Sequence, residues 1–222
     1  MEELRLALYA EGTTDEQFLP SILQRTCEKL IAKNNQTSVN ILDPKVIAKH
    51  KNITKRDESI LQAARDAFDF HILVIHADAD SHTQEKALKE RFQPGHELVK
   101  LSNECVCKYL LPIVPIYMTE AWLLADNDAL RNVIGTNMKA QDLGLLQKAR
   151  LIEADSNPKQ TLKNIVQKAY ANRSRRHQQV DLNIIYRSLG RSIRLEQLEN
   201  LKAYNQFVHD LTATLQKLTL IP

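Results

Sequence analysis

The sequence predicts an α/β fold in which helices flank a mostly parallel sheet. Two short apolar runs, over residues 4–10 and 70–75, have the length and composition of buried strands. A segment with apolar residues at helical spacing follows the first run over about residues 14–32, and another precedes the second run over residues 57–68. Strands that alternate with helices in this way are typical of parallel or mixed sheets.

The first predicted helix begins with a clear start signal. Thr13 is predicted to be its N-cap, and Glu16 three residues later completes a capping box. After the polar stretch 34–38, a short strand is expected over residues 39–42. Residues 46–55 are basic and polar, and their pattern assigns them to no regular element.

The middle of the chain carries two predicted helices and a third apolar run. The helices are expected over residues 83–92 and near residues 96–109, with a Pro-Gly pair as the break between them. The apolar run 111–117 contains two prolines, which favour an edge strand or an irregular strand. A further helix is predicted to open with Glu120.

From about residue 141 onward the sequence predicts helices alone. We therefore divide the chain into an α/β core over residues 1–140 and a helical extension over residues 141–222 that packs on the core. Segment 159–202 contains ten Lys or Arg and three acidic residues, a net charge of +7 against +3 for the whole chain. A basic extension beside an acidic site suits an enzyme that binds a polyanion, although a solvated helix face is the commoner origin of such a charge run.

The composition is that of an ordinary soluble globular protein, with 43% hydrophobic and 26% charged residues in 222. We expect no membrane segment, because no apolar run approaches the ~20 residues that span a bilayer. We also expect no signal peptide. Three cysteines argue against a disulfide framework and predict a cytoplasmic protein. Cys105 and Cys107 lack the further ligands that a zinc site requires, and we interpret them as small buried side chains.

Acidic residues follow the predicted strands at the point where each strand ends. Glu11-Gly12 follows the first strand, and an Asp-x-Asp motif formed by Asp78 and Asp80 follows the second. Ligands of open α/β sheets bind at the carboxyl ends of the strands, and carboxylate oxygens suit Mg²⁺ or Mn²⁺. We predict Glu11, Asp78 and Asp80 as catalytic and metal-binding residues. Glu120, which follows the third apolar run, is predicted to be a further metal ligand.

This set of acids predicts chemistry on a phosphate. Hydrolysis of a phosphodiester needs an activated water and a stabilised leaving oxygen, and two divalent ions ~4 Å apart can supply both. Glu11 is interpreted either as a ligand or as a general acid or base. Asp15 is explained without a role in catalysis, because an acidic residue in the first turn of a helix interacts favourably with the helix dipole. For His76 we favour a structural role, and for His82 a solvated one.

The basic residues of the extension are candidates for contacts with the phosphates of a nucleic acid. The densest stretch contains Arg173, Arg175 and Arg176, and Lys159 opens the same basic segment. Cationic side chains beside an acidic metal site would bind the polyanion that the site cuts. The alternative interpretation of the arginine stretch is a mobile surface loop.

The order of these motifs resembles the Toprim domain, which occurs in topoisomerases, primases and a class of nucleases. More narrowly, residues 11–20 look like the opening of a Toprim-like bacterial family that is often encoded beside ABC- or SMC-type ATPases in phage-defence loci. Segments 120–126, 157–162 and 205–211 also resemble that family, so the resemblance extends over nearly the whole chain.

The resemblance assigns the Toprim glutamate to Glu11 and the metal-binding aspartates to Asp78 and Asp80. It implies a Toprim-like sheet, a Mg²⁺ or Mn²⁺ cofactor, nuclease activity on DNA or RNA in antiviral defence, and an ATPase partner. Because the sequence has no Gly-x-x-x-x-Gly-Lys-Ser/Thr loop, ATP hydrolysis is expected from that partner. Ser81 and His82 stand where a typical Toprim domain has a glycine.

Two other interpretations stay open at this point. The protein could be a Toprim-like adaptor or sensor that binds an ATPase and keeps the acids for folding or weak metal binding. It could also be a haloacid-type phosphatase with Asp78 as its nucleophile, although those enzymes usually have Thr or Val where this chain has His82. A topoisomerase is not expected, since none of the six tyrosines lies in a recognisable cleavage motif. The sequence leaves the oligomeric state open.

Overall fold

The strands of the protein run parallel to one another, as the sequence predicts. The computed structural model describes residues 2–34, 39–145, 148–171 and 181–222. The strands within these residues are β1 (Glu2–Leu4), β2 (Leu6–Tyr9), β3 (Val39–Ile41), β4 (Lys45–Val46), β5 (Ile72–His76) and β6 (Leu110–Ile113). Each strand pairing among them is parallel, which confirms the expected fold class.

The central sheet brings the ends of three strands together. β1 pairs with β3, whereas β2 belongs to a four-stranded sheet in the order β4-β2-β5-β6. Tyr9 at the end of β2 lies opposite Ile75 of β5, and His76 lies opposite Ile113 of β6. β6 is an outer strand, as the two prolines of the apolar run 111–117 predict; Pro112, within the strand, has no N–H to donate to a further strand. The carboxyl ends of β2, β5 and β6 therefore form one edge, which is where the site lies.

Helices pack on both faces of the central sheet. On one face Leu73 of β5 packs in a cluster with Ile60 and Val99, and on the other face Val74 packs in a cluster with Phe18 and Phe207. The helices of the described residues are α1 (Asp15–Asn34), α2 (Arg56–Asp66), α3 (Glu85–Ala87), a π-helical turn (Leu88–Phe92), α4 (Gln93–Leu101), α5 (Glu120–Leu123), α6 (Asn127–Ile134), α7 (Ala140–Leu143), α8 (Ala149–Ile152), α9 (Pro158–Tyr170), α10 (Leu182–Ser192), α11 (Leu195–Leu198) and α12 (Lys202–Lys217).

The predicted helix break at Pro94-Gly95 was wrong. α3, the π-helical turn and α4 follow one another directly, and Pro94 lies where the π-helical turn passes into α4. Gly95 packs against Ile60 of α2. The continuous helix ends at Leu101, so the expected helix near residues 96–109 is shorter than predicted.

The C-terminal helices share the core of the α/β part. α10 packs along α1, and α12 packs beside β6. Trp122 is fully buried, as expected for a core residue, and its ring meets the ring of Tyr204 edge-on at a centroid distance of 5.4 Å. In the described residues after 141 every regular element is a helix, which agrees with the prediction. The domain boundary at residue 140 stays a prediction, since one hydrophobic cluster includes residues from both sides of it.

Two smaller points complete the description. Among the described residues no helix has both the length and the apolar character needed to cross a lipid bilayer. Cys107 is buried as expected, whereas Cys105 is exposed, so the interpretation of both as buried side chains was wrong for Cys105. Cys105 lies in the loop that connects α4 to β6, whose neighbouring Glu104 pairs with Arg65 at the surface.

Candidate active site

A pocket of about 190 Å³ opens at the carboxyl edge of the central sheet and is lined by four acidic residues. Glu11 follows β2, Asp78 follows β5, Asp15 opens α1, and Glu120 opens α5. The other residues that line the pocket are Gly12, Thr14, Met118 and Lys159. Four separate elements thus deliver carboxylates to one place, and three of these acids were candidates from the sequence.

Glu11 and Asp78 are held next to each other by a direct hydrogen bond. The backbone N–H of Asp78 donates to Glu11 Oε2 at 3.2 Å. Lys49 Nζ donates to the carbonyl oxygen of Glu11 at 2.5 Å, which fastens the same loop from the side of β4. The adjacency follows from the sheet, because Tyr9 and Ile75 are opposite each other and both acids lie just beyond them.

Asp78 is oriented by Thr119, the residue that precedes α5. The Thr119 backbone N–H lies 3.0 Å from Asp78 Oδ1, and its hydroxyl lies 3.4 Å from the same oxygen. Both groups donate to the carboxylate. The chain segment that carries Glu120 is therefore tied directly to the Asp-x-Asp loop.

His76 lies fully buried beneath the pocket and joins its walls. Its Nδ1 accepts the N–H of Glu11 at 3.2 Å, and its Nε2 lies 2.9 Å from Thr119 Oγ1. Burial alone would lower the pKa of His76, but the carboxylates of Asp78 and Asp15 outweigh it and raise that pKa. The imidazole contacts backbone and side chains of the pocket wall, in keeping with the structural role that we favoured for it.

Asp15 belongs to the pocket, although the sequence analysis explained it only through the helix dipole. Its side chain is buried, and its Oδ2 accepts the N–H of Gly12 at 2.9 Å. The same oxygen lies 3.6 Å from His76 Nδ1. Burial raises the pKa of Asp15, and the nearby Asp78 raises it further. The signal that could have identified Asp15 is its position one helical turn after the Glu-Gly pair.

Asp80 pairs with Arg91. Arg91 Nη2 lies 2.5 Å from Asp80 Oδ2, and Asp80 adopts a positive φ of 51°. Asp80 is not among the residues that line the pocket. The two aspartates of the motif therefore have different surroundings, which the motif alone did not indicate.

Glu120 is buried and is contacted by two residues of the C-terminal helices. The Tyr186 hydroxyl donates to Glu120 Oε1 at 2.6 Å, and Lys159 Nζ lies 3.9 Å from the same oxygen. Sequence analysis did not identify Tyr186, because it lies in a helix without any motif. Lys159 was predicted as a phosphate contact, and it lines the pocket.

The remaining candidates have other surroundings. Arg173, Arg175 and Arg176 lie outside the described residues. His82 is exposed, as expected for a solvated turn residue.

The donor chemistry of the pocket suits a hard divalent cation. Within the described residues, no three His, Cys, Asp or Glu side chains already surround one point as metal ligands would. Each carboxylate contacts a protein donor instead. The set nevertheless consists of oxygen donors, which are the ligands that Mg²⁺ and Mn²⁺ prefer. The side chains of Glu11 and Asp78 are 43% and 25% exposed, so both have room to rotate toward a common ion.

Comparisons with known proteins place the chain in a family. Neither the curated proteins nor the solved structures contain a significant match to it. The profile of the domain of unknown function DUF4276 matches residues 10–211, a span that contains all four acids of the pocket. The chain therefore belongs to the DUF4276 family.

Proposed function

We propose that this protein is a Mg²⁺- or Mn²⁺-dependent nuclease with a Toprim-like site that hydrolyses phosphodiesters of DNA or RNA in the cytoplasm. One observation carries the proposal: four carboxylates from four elements meet in one pocket at the carboxyl edge of a parallel sheet. A lysine from the basic C-terminal part lines the same pocket. Phosphodiester hydrolysis requires carboxylates that bind a cation and a positively charged side chain that binds the phosphate, and this pocket contains both kinds of group.

The order of the acids supports the Toprim resemblance. Glu11 follows β2 and the Asp-x-Asp motif follows β5, and these two strands are adjacent and parallel. The hydrogen bond from the Asp78 N–H to Glu11 Oε2 joins the two motifs directly. In this proposal Glu11, Asp78 and Glu120 hold the cation from within the pocket, and Asp80 joins them once it leaves Arg91.

Different residues of the pocket would take different roles in the reaction. When bound, a divalent ion would neutralise charge on the scissile phosphate and assist the attack of water. Lys159, 50% exposed at the rim, would bind a phosphate oxygen. In the alternative to a ligand role, Glu11, whose side chain is 43% exposed, would accept a proton from the attacking water.

Coupling to an ATPase of the ABC or SMC type belongs to the same proposal. The sequence has no phosphate-binding loop of its own, so an ATP requirement would come from the partner chain. A role in antiviral defence would then follow from the partner, which would release the nuclease on infection.

A non-catalytic adaptor is the second candidate, and one observation favours it. The acids of the pocket are already satisfied by protein donors, with Thr119 on Asp78, Tyr186 on Glu120 and the N–H of Gly12 on Asp15. Such a network would serve the fold without any metal. The adaptor and the nuclease differ in whether the pocket binds a divalent cation tightly enough to displace these contacts.

The test is calorimetric titration of Mn²⁺ and Mg²⁺ into the wild type and Asp78→Asn, with cleavage of plasmid and single-stranded DNA and RNA in the same buffers. Asp69→Asn is the matched control, because Asp69 is an exposed, ion-paired aspartate just before β5, at the opposite end of that strand. Binding and cleavage that Asp78→Asn abolishes and Asp69→Asn retains would support the nuclease. Binding without cleavage would direct attention to the partner, and absence of binding at millimolar cation would overturn the metal site.

A further inference from the structure

Two buried tyrosines reach from the C-terminal helices to the α/β part, and one of them ends at the pocket. Tyr186 of α10 and Tyr204 of α12 are each 1% exposed. The Tyr204 hydroxyl lies 2.9 Å from Thr26 Oγ1, within the core. The Tyr186 hydroxyl donates to Glu120 Oε1 at 2.6 Å. The two contacts are of the same kind, but only that of Tyr186 involves an acid of the pocket.

The Tyr186 hydroxyl is the donor in its contact with Glu120, because a carboxylate can only accept and a phenol carries its proton at neutral pH. Glu120 is 4% exposed, and a buried carboxylate needs donors to offset the loss of water. The hydrogen bond thus fixes which oxygen of Glu120 faces α10.

The position of Tyr186 is set by close packing of α10 on α1. A Cβ at Gly190 would lie 2.6 Å from the carbonyl oxygen of Phe18, so the two helices touch through their backbones. Arg25 of α1 donates to the carbonyl oxygens of Gly190 and Ile193 at 2.9 and 2.6 Å. α1 itself begins at Asp15 in the pocket. The hydroxyl is therefore held rigidly relative to the acids.

We propose that Tyr186 is the positioning residue for Glu120 in cation binding. Its hydroxyl occupies Oε1 and leaves the second oxygen of Glu120 for the ion, so that α10 completes a site whose acids all come from the α/β part. This proposal rests on the proposed metal-dependent function. A residue that hydrogen-bonds the second oxygen or nitrogen of a metal ligand typically increases metal affinity by about 10- to 100-fold. We expect a contribution of roughly this size from Tyr186.

The test compares Tyr186→Phe with Tyr204→Phe. Each substitution removes one hydroxyl from a buried ring and leaves its aromatic packing in place. Calorimetric titration with Mn²⁺ is expected to show a Kd roughly 10-fold weaker for Tyr186→Phe, whereas Tyr204→Phe keeps the wild-type value. Thermal unfolding in the presence of a chelator measures stability without bound metal. Both variants are expected to show a lower melting temperature there, because each loses one buried hydrogen bond.

The outcomes separate the two proposals. Equal Mn²⁺ affinity in the two variants, with a wild type that binds Mn²⁺ and an Asp78→Asn variant that does not, would overturn the role of Tyr186 and leave the metal site standing. A wild type that binds no Mn²⁺ would overturn both.

Glu120→Gln gives a second check that does not depend on the folding of Tyr186→Phe, because the glutamine side chain keeps an oxygen that can accept the Tyr186 hydroxyl. If Glu120→Gln binds Mn²⁺ as the wild type does, Glu120 is not a ligand and the proposal fails.

Discussion

Arg91 holds Asp80 outside the acidic pocket through a contact of 2.5 Å between its Nη2 and Asp80 Oδ2. The same guanidinium donates from Nη1 to the carbonyl oxygen of Asp78 at 2.9 Å and lies 3.6 Å from Glu11 Oε2. The side chain of Arg91 thus contacts all three residues that the sequence predicts to be catalytic, Asp78 through its backbone carbonyl. A divalent ion that uses Glu11 and Asp80 has to compete with it.

Removal of this cation should strengthen metal binding. We expect Arg91→Gln to bind Mn²⁺ about two- to fivefold more tightly, the factor that corresponds to the loss of one partly exposed ion pair of up to ~1 kcal/mol. Calorimetry at low salt measures the change. Arg65→Gln is the control, because Arg65 pairs with Glu104 in a surface contact away from the pocket. Weaker binding by Arg91→Gln would contradict the prediction and indicate that the arginine organises the acids.

His76 should matter for both stability and the metal site. His76→Leu keeps the apolar volume but leaves the Glu11 N–H without its acceptor and removes the contact of the imidazole with Thr119 Oγ1, which should cost about 2–4 kcal/mol in unfolding free energy and weaken Mn²⁺ binding. Urea denaturation and calorimetry check the two effects. His71→Leu is the matched control, since His71 also accepts a backbone N–H, that of Arg5, but is half-buried at the other end of β5. Equal effects of the two substitutions on Mn²⁺ affinity would refute the prediction.

The contact of α10 with α1 tolerates no side chain at Gly190. Gly190→Ala places a methyl group against the Phe18 backbone and should lower the unfolding free energy by about 1–3 kcal/mol, because the helices have to separate. Ser192→Ala on the exposed side of the same helix should change it by less than about 0.5 kcal/mol. Chemical denaturation of both variants measures the difference. A neutral Gly190→Ala would show that α10 shifts without cost.

The buried carboxylate of Asp126 predicts a pH dependence of stability. It caps α6 through Ala129 N–H and accepts three N–H groups of Arg194 at 2.6 to 3.0 Å. Burial would raise the pKa of Asp126, but the bonds to Arg194 and the backbone outweigh it, so the pKa in the folded state is lowered. A lowered folded pKa means that the stabilisation is present above the unfolded pKa of ~4 and is lost as the pH falls through the folded value.

Asp126→Asn should therefore cost about 2–3 kcal/mol at pH 7, and the difference from the wild type should shrink below about pH 4. Urea unfolding at a series of pH values from 7 to 3 measures both the cost at pH 7 and its decrease at low pH. Asp128→Asn is the control, because Asp128 shares Arg194 but is 66% exposed at its side chain. A gap between wild type and Asp126→Asn that stays constant with pH would count against the ion pair as its source.

The pairing of Glu11 with Asp78 could be predicted because it depends on local patterns. Each residue follows an apolar run that forms a strand, and parallel strands place their carboxyl ends at one edge. The helical spacing of residues 14–32 and 57–68 likewise anticipates α1 and α2. In these strands and helices the spacing of the apolar residues determines both the local structure and the face that is buried, so the sequence pattern is sufficient to predict them.

Tyr186 and Arg91 could not be predicted because their roles depend on distant contacts. Tyr186 is 66 positions from Glu120, and its helix has only the ordinary amphipathic pattern. Arg91 reaches Asp80 from a π-helical turn, a local geometry that spacing rules do not describe. Pro94 misled the helix assignment for a related reason, since it directly follows the same π-helical turn, and a rule that ends a helix at a proline does not anticipate that local geometry.

The packing of α10 on α1 also orders events in the life of the chain. Arg25 and Gly190 are 165 positions apart, so this contact forms only after synthesis has passed residue 190. Until then Glu120 lacks the hydroxyl of Tyr186, and the buried carboxylate is exposed to water instead. A nascent chain that lacks α10 would thus carry the acidic motifs without an assembled pocket, and the proposed activity would arise only after α10 has been made and has packed on α1.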